Sequence, residues 1–341
     1  MKTFASDNYS GVHPDVMQAI VDANKEHAPA YGNDDVTAMA IQKIREQFGS
    51  KTEPFLVFGG TGSNVTAIAA ITRPYNSIIC ADVAHINVHE AGATEHFAGC
   101  KLIGLPTKDG KITVEQIAEK LGVLGDAHAA QPKVVSLTQA TDYGTVYTVD
   151  ELKKITSFAH SNGLLVHMDG ARISNAAVSL GKTLKEITLD AGIDVLSLGM
   201  TKNGAMSAEA VVFFNPDLAK DFKHVRMKGM QLASKMRFMA AQFNAMFTDD
   251  LWKRNASNSN KMAKLLAEKA AKIPGVKITQ KVEANEVFAI MPRKAIAIVQ
   301  KQFPFYVWDE KTSEVRWIAS FDTTGQDVDK FIVALKKAIT G

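Results

Sequence analysis

Seven apolar runs of strand length recur through the first two-thirds of the chain, at 55–58, 77–81, 101–105, 133–138, 164–168, 194–198 and 210–214. Stretches with helical spacing, at 63–71, 113–121, 149–161 and 183–189, separate most of them. Strands that are apolar at every position must bury both faces. The alternation therefore predicts an α/β fold, with a mostly parallel seven-stranded sheet covered by helices on both sides. Two more helices are expected ahead of the first strand, at 13–26 and 35–48.

Past Phe214 the pattern changes. A helical block from Asp217 to Lys272 stops at Ile273-Pro274-Gly275. Short strand-like pieces follow at 276–281, 286–291, 305–307 and 315–319, with helices at 293–302 and 325–339. The 341 residues exceed the usual scale of about 100–200 per domain. We divide the chain into a large domain, 1–250, and a small C-terminal α+β domain, 251–341. A 46% hydrophobic and 22% charged composition excludes disorder and collagen-like structure. The formal net charge is only +3 and the cations are scattered, so neither a nucleic-acid nor a membrane partner is expected. Cys80 and Cys100 form no CxxC, so no metal site is expected and the compartment reads as reducing. With no signal-like apolar stretch at the start and no window of about 18 apolar residues, the expected location is the cytoplasm.

In open α/β sheets, ligands bind beyond the carboxyl ends of the strands. After the 55–58 run comes Gly59-Gly60-Thr61-Gly62-Ser63-Asn64, leading into a helix. Glycines let the backbone approach an anion, and free N–H groups at a helix start attract negative charge. The loop is neither a dinucleotide fingerprint, because Val65 replaces the third glycine, nor a Walker loop. After 77–81, His85 could stack on a planar ring or move protons. After 164–168, Asp169 needs a cationic partner, either Arg172 in a salt bridge or the ring nitrogen of a cofactor. After 194–198, Lys202 sits in a Gly-flanked loop, where a lysine can carry a Schiff base. Phosphate loop, stacking His, strand-end Asp and loop Lys together form the parts of a pyridoxal 5′-phosphate site.

At these residues the sequence resembles the low-specificity L-threonine aldolases of the aspartate-aminotransferase (fold type I) superfamily, nearly end to end. Its most specific block is His167-Met168-Asp169-Gly170-Ala171-Arg172-Ile173-Ser174-Asn175-Ala176. Gly199-Met200-Thr201-Lys202-Asn203-Gly204 is similar to the lysine segment of the branch that carries TKNG, and Ser6-Asp7-Asn8 and Tyr31-Gly32-Asn33-Asp34 to its N-terminal elements. The resemblance implies that Gly60 and Thr61 hold the cofactor phosphate, His85 stacks on the ring, Asp169 pairs with its nitrogen and Lys202 binds it covalently. It implies that Arg172 reaches the cofactor O3′ side and the substrate carboxylate, which Ser6 and Arg316 also grip. Lys228 and Arg237 would reach a neighbouring subunit's phosphate, in a homodimer or homotetramer.

The activity implied is retro-aldol cleavage of L-threonine, L-allo-threonine and related β-hydroxy-α-amino acids to glycine and an aldehyde. Another fold-type-I lyase acting by β-elimination, or a transferase, would use the same cofactor residues. One departure from the family pattern matters. Where many members carry a second active-site histidine, this chain reads Gln139-Ala140-Thr141-Asp142-Tyr143-Gly144-Thr145. The base for the β-hydroxyl proton could be His85, Asp142 or a bound water.

Overall fold

The N-terminal residues are pinned to the far end of the chain. In the computed structural model, which describes residues 2–341, Phe4 is fully buried. Its N–H donates to the Pro304 carbonyl and its own carbonyl accepts from Ile318 N–H. Helices α1 (Pro14–Asp22) and α2 (Asp35–Phe48) follow, the second capped by the Asp34 carboxylate on Thr37 N–H. The αβ alternation then runs β1 (Glu53–Val57), α3 (Gly60–Ile71), β2 (Asn76–Ala81), α4 (His85–Val88), α5 (Ala93–Ala98), β3 (Lys101–Leu105), α6 (Val114–Ala118), β4 (Gln131–Thr138), α7 (Val149–Ser161), β5 (Leu165–Gly170), α8 (Ile173–Leu180), β6 (Val195–Gly199) and β7 (Glu209–Phe213). Three helices, α9 (Phe222–Lys228), α10 (Arg237–Met246) and α11 (Leu251–Ala270), lead to β8 (Lys277–Ile278), β9 (Glu286–Ile290), α12 (Arg293–Gln300), β10 (Tyr306–Asp309), β11 (Glu314–Ile318) and α13 (Gly325–Thr340).

The seven expected strands make one sheet in the order β1-β7-β6-β5-β4-β2-β3. Pairs β2/β3, β2/β4, β4/β5 and β5/β6 are parallel, while β7 runs antiparallel to both β6 and β1. Two inversions leave β1 parallel to β6, so the carboxyl ends of β1, β2, β4, β5 and β6 open onto one edge. Strands β2, β6 and β7 are buried along their whole length, as their unbroken apolar runs require. A second, antiparallel sheet, β10-β11-β9-β8, carries a separate core around Trp317, Val287 and Phe331. This is the aspartate-aminotransferase-like architecture, a large mostly parallel sheet with a small C-terminal α+β layer.

Three local expectations change. The 183–189 pattern does not become a helix. Its few residues fall below the length at which helix nucleation is repaid, and the Glu186 carboxylate instead closes a turn on Thr183 N–H and Oγ. Leu184 and Ile187 are buried from that turn. Helix α8 went unread because it is short, uncapped and follows directly on the Asp-Gly-Ala-Arg turn. The long 217–272 block breaks after α9. A Cβ on Gly229 would come within 2.7 Å of Thr66, so the chain there approaches α3 too closely for any side chain.

Phe331 is the hub of the second core, with its ring centroid 4.7 Å from Phe4, 5.6 Å from Phe303 and 5.2 Å from Trp317. We expect Phe331→Ala to cost about 3–5 kcal/mol. Denaturant unfolding followed by tryptophan fluorescence measures it, and because Phe4 belongs to this core the loss should extend to the N-terminal segment.

Candidate active site

The shared carboxyl edge closes, beneath β10, over a cavity of about 570 Å³. Each strand end contributes through the turn that follows it: Gly60 and Thr61 after β1, His85 after β2, Asp142 after β4, Asp169 and Arg172 at β5, and Lys202 after β6. The pinned N-terminus adds Ser6, and the small sheet adds Arg316, Tyr306 and Trp308. Of the residues given a cofactor or substrate role from sequence, only Lys228 and Arg237 lie elsewhere; the 31–34 segment is also outside the cavity lining, with Tyr31 N–H donating to the Ser234 carbonyl. The Lys228 ammonium sits over the Phe97 ring, and Arg237 donates to the Lys25 and Glu26 carbonyls.

Asp169 is 6% exposed. Its Oδ1 accepts from Ala171 N–H at 3.0 Å and its Oδ2 from Asn64 Nδ2 at 2.9 Å. Burial opposes the charge, but nearby Lys202 and those hydrogen bonds hold the carboxyl below its ordinary value, so it stays ionised. The alternative salt bridge to Arg172 does not form. Arg172 instead donates bidentately to Asp7, at 2.8 and 3.0 Å, and lies 3.6 Å from Glu286. Arg316 lies at the same distance from Glu286, its guanidinium stacked on Trp308 and Tyr306. Both Glu286 oxygens and Arg316 Nε are buried without a hydrogen-bond partner.

His167, two residues before Asp169 in β5, is fully buried between Ser136 Oγ at 2.9 Å and Ser197 Oγ at 3.0 Å. Burial pushes its pKa down to about 4, so it is a neutral pin across three strands. Two carboxyls move the other way. Burial and the charges of Asp169 and Glu286 push Asp142 up to about 7. Burial likewise pushes Glu209, near Lys202, up to about 7.

Sequence reasoning passed over Asp7, Glu90, Glu209 and Glu286. Asp7 is 165 residues from its partner Arg172, and Glu209 sits in a strand whose other residues are apolar. The one available signal was an acidic residue inside an otherwise apolar strand, as at Glu209 and Glu286.

Residues 3–293 match the family model described as β-eliminating lyase. The chain belongs to that family. A low specificity L-threonine aldolase of Pseudomonas aeruginosa is 44% identical over 322 residues, covering 94% of this chain and 93% of that protein. A threonine aldolase of Leishmania major superposes with a TM-score of 0.93 at 28% identity, over 99% of this chain and 100% of that one. An aspartate aminotransferase of Rhizobium meliloti, at 12% identity, shares the fold, with a TM-score of 0.71 over 97% of this chain and 89% of its own. The chain is accordingly a pyridoxal-phosphate-dependent lyase.

The residues present fit that cofactor. Gly59 precedes helix α3 as an N-cap without a side-chain hydrogen bond, and a Cβ built on it would meet nothing within 4 Å, so the loop leaves room for an anion beside the helix start. At Gly62 a Cβ would fall 2.3 Å from the Gln231 amide, whose Oε1 accepts from Phe58 N–H, so a side chain there would push Gln231 out of that bond. An ionised buried Asp169 needs a cation such as a protonated ring nitrogen. Among the described residues no three His, Cys, Asp or Glu are grouped to hold a metal, and no helix is long and apolar enough to cross a membrane.

Asp142 makes stability depend on pH. Its folded pKa, about 7, lies above its ordinary 3.8, so between those values the folded chain holds a proton that the unfolded chain has lost. Its contribution therefore falls as pH rises through that window. We expect the melting temperature of Asp142→Asn to gain on the parent by about 2 °C per pH unit between pH 5 and 7. Calorimetry on both proteins checks it, and a constant difference would show that Asp142 titrates normally.

Proposed function

We propose that this enzyme cleaves L-threonine, L-allo-threonine and related β-hydroxy-α-amino acids into glycine and an aldehyde. The observation that carries the reading is the convergence of Lys202, Asp169, His85 and Arg316 on one cavity in a chain 44% identical to a low specificity L-threonine aldolase.

The cofactor, when bound, supplies an electron sink for the bond that breaks at Cα. Everything else is the chain's own work. Gly60, Thr61 and the start of α3 would hold its phosphate, His85 would pack against its ring, and ionised Asp169 would keep the ring nitrogen protonated. Lys202 would hold the cofactor through its amine and give way to the substrate amine. Arg316 takes the substrate carboxylate, with Ser6 beside it. Arg172, held by Asp7, offers that carboxylate and the cofactor O3′ side its remaining N–H groups. Fixing the carboxylate would fix which bond at Cα is placed to break, and placing Cα–Cβ there selects cleavage. Asp142 accepts the β-hydroxyl proton as that bond breaks and the aldehyde C=O forms. A carboxyl with a pKa of about 7 is matched to that task near neutrality. Glycine leaves once Cα has regained a proton.

The wider reading goes with this one. Residues 1–250 form the cofactor-binding domain and 251–341 the small domain that brings Arg316. The working form is a homodimer or homotetramer in the cytoplasm, serving threonine breakdown and glycine supply. Lys228 and Arg237 fit a role toward a partner's phosphate, since they lie away from this chain's cavity, Lys228 directly after exposed Met227. The exposed phosphate loop offers backbone N–H groups but no cation of its own.

The deciding experiment is to incubate the purified protein with pyridoxal phosphate and either L-threonine or L-serine. We expect acetaldehyde and glycine from threonine, whereas pyruvate from serine without acetaldehyde would turn the reading to β-elimination. We expect Lys202→Ala to lose borohydride-fixable cofactor and at least about 10³-fold in kcat. In Asp142→Asn, kcat should fall about 10²-fold. The limb of the kcat profile near pH 7 should vanish with it, and a retained limb would assign the proton to another group.

A further inference from the structure

Behind the cavity, two buried carboxylates share one amide. Asn64 Nδ2 lies 2.9 Å from Glu90 Oε1 and 2.9 Å from Asp169 Oδ2, so its two hydrogens point at two different acids. The orientation of that amide follows from chemistry. Flipped, its carbonyl would face both carboxylates, and as it stands Asn64 Oδ1 is buried with no partner. Glu90 Oε1 accepts a second hydrogen bond from His85 Nδ1 at 2.8 Å. Glu90 is 5% exposed, and its Oε2 is buried without a partner, so the whole of its hydrogen bonding passes through Oε1. The turn of α4 brings Glu90 back under His85, five residues earlier. A carboxylate can only accept, so His85 must carry its proton on Nδ1 and leave Nε2 toward the cavity.

We propose that Glu90 is a positioning residue. Its Oε1 holds His85 in the Nδ1-protonated form and, through the Asn64 amide, holds Asp169 in place for the ring nitrogen. Stacking face and nitrogen partner are thereby set by one buried acid. Charge-assisted bonds of this kind are the strong ones, and their loss leaves buried donors unmet. The inference rests on the reading of His85 and Asp169 as cofactor residues.

The test compares the parent, Glu90→Gln and Asn64→Ala as ¹⁵N-histidine-labelled holoenzymes by NMR, together with cofactor titration of each. In the parent we expect the His85 signal of an Nδ1-protonated ring. In Glu90→Gln that signal should move toward the other tautomer and the cofactor Kd should rise about tenfold. In Asn64→Ala the Kd should rise similarly while His85 keeps its tautomer, because the Glu90 bond remains. If Glu90→Gln does not fold, the Asn64→Ala result decides alone, and an unchanged Kd there overturns the proposal. The proposal also fails if Glu90→Gln keeps both tautomer and Kd. It fails too if Glu90→Gln lowers only the unfolding temperature of the cofactor-free chain, since that is the mark of a merely structural acid. A parent that takes up no cofactor would instead overturn the reading of the site itself.

Discussion

The bidentate pair between Arg172 and Asp7 joins the three parts of the molecule that must meet for a site to exist. Arg172 stands at the start of α8, on the carboxyl edge of the large sheet. Asp7 belongs to the N-terminal segment that the small sheet holds through Phe4. Asn285 donates to the same Asp7 oxygen at 3.0 Å, and Glu286 faces the guanidinium from β9. Opposite charges so deeply buried are stable only together. Removing one partner of such a pair costs about 3–5 kcal/mol, because the other is left without water or counter-charge. The ion pair therefore fixes the distance between sheet and small layer across the cavity.

Around it the cavity is a balance of buried charges. Lys202, Arg172 and Arg316 face Asp7, Asp169, Asp142, Glu90, Glu209 and Glu286, and the acidic groups outnumber the cations. Asp7 and Asp169, close to cations and rich in hydrogen bonds, stay ionised. Asp142 and Glu209, buried beside other acids, are held near neutrality. Environment thus divides one residue type into charged anchors and groups that can hold or release a proton near pH 7. Glu286, between two arginines without a full hydrogen bond to either, leaves Arg316 free to turn to an arriving carboxylate.

Much of this was legible from the chain. All seven large-sheet strands lie within about two residues of their apolar runs, since a strand buried on both faces can hardly be written otherwise. The placement of Gly60, His85, Asp169 and Lys202 at one edge followed from strand-end position, and the block around Asp169 pointed to the family. Helix α8 and the broken 217–272 block were less legible. In both, a close approach or a short apolar helix overrode local spacing, as at Gly229 against Thr66.

Sequence by itself determined the layer order, the edge where a ligand would bind and the chemical types gathered there, because period, turn residues and residue chemistry are local properties. Tertiary structure alone decided who pairs with whom. Arg172 chose Asp7 over Asp169, Glu90 came under His85 and Asn64, and two ordinary-looking acids, Asp142 and Glu209, acquired pKa values near neutrality. Those outcomes depend on burial and on charges brought close from distant points of the chain, and the dielectric environment that sets them exists only after folding.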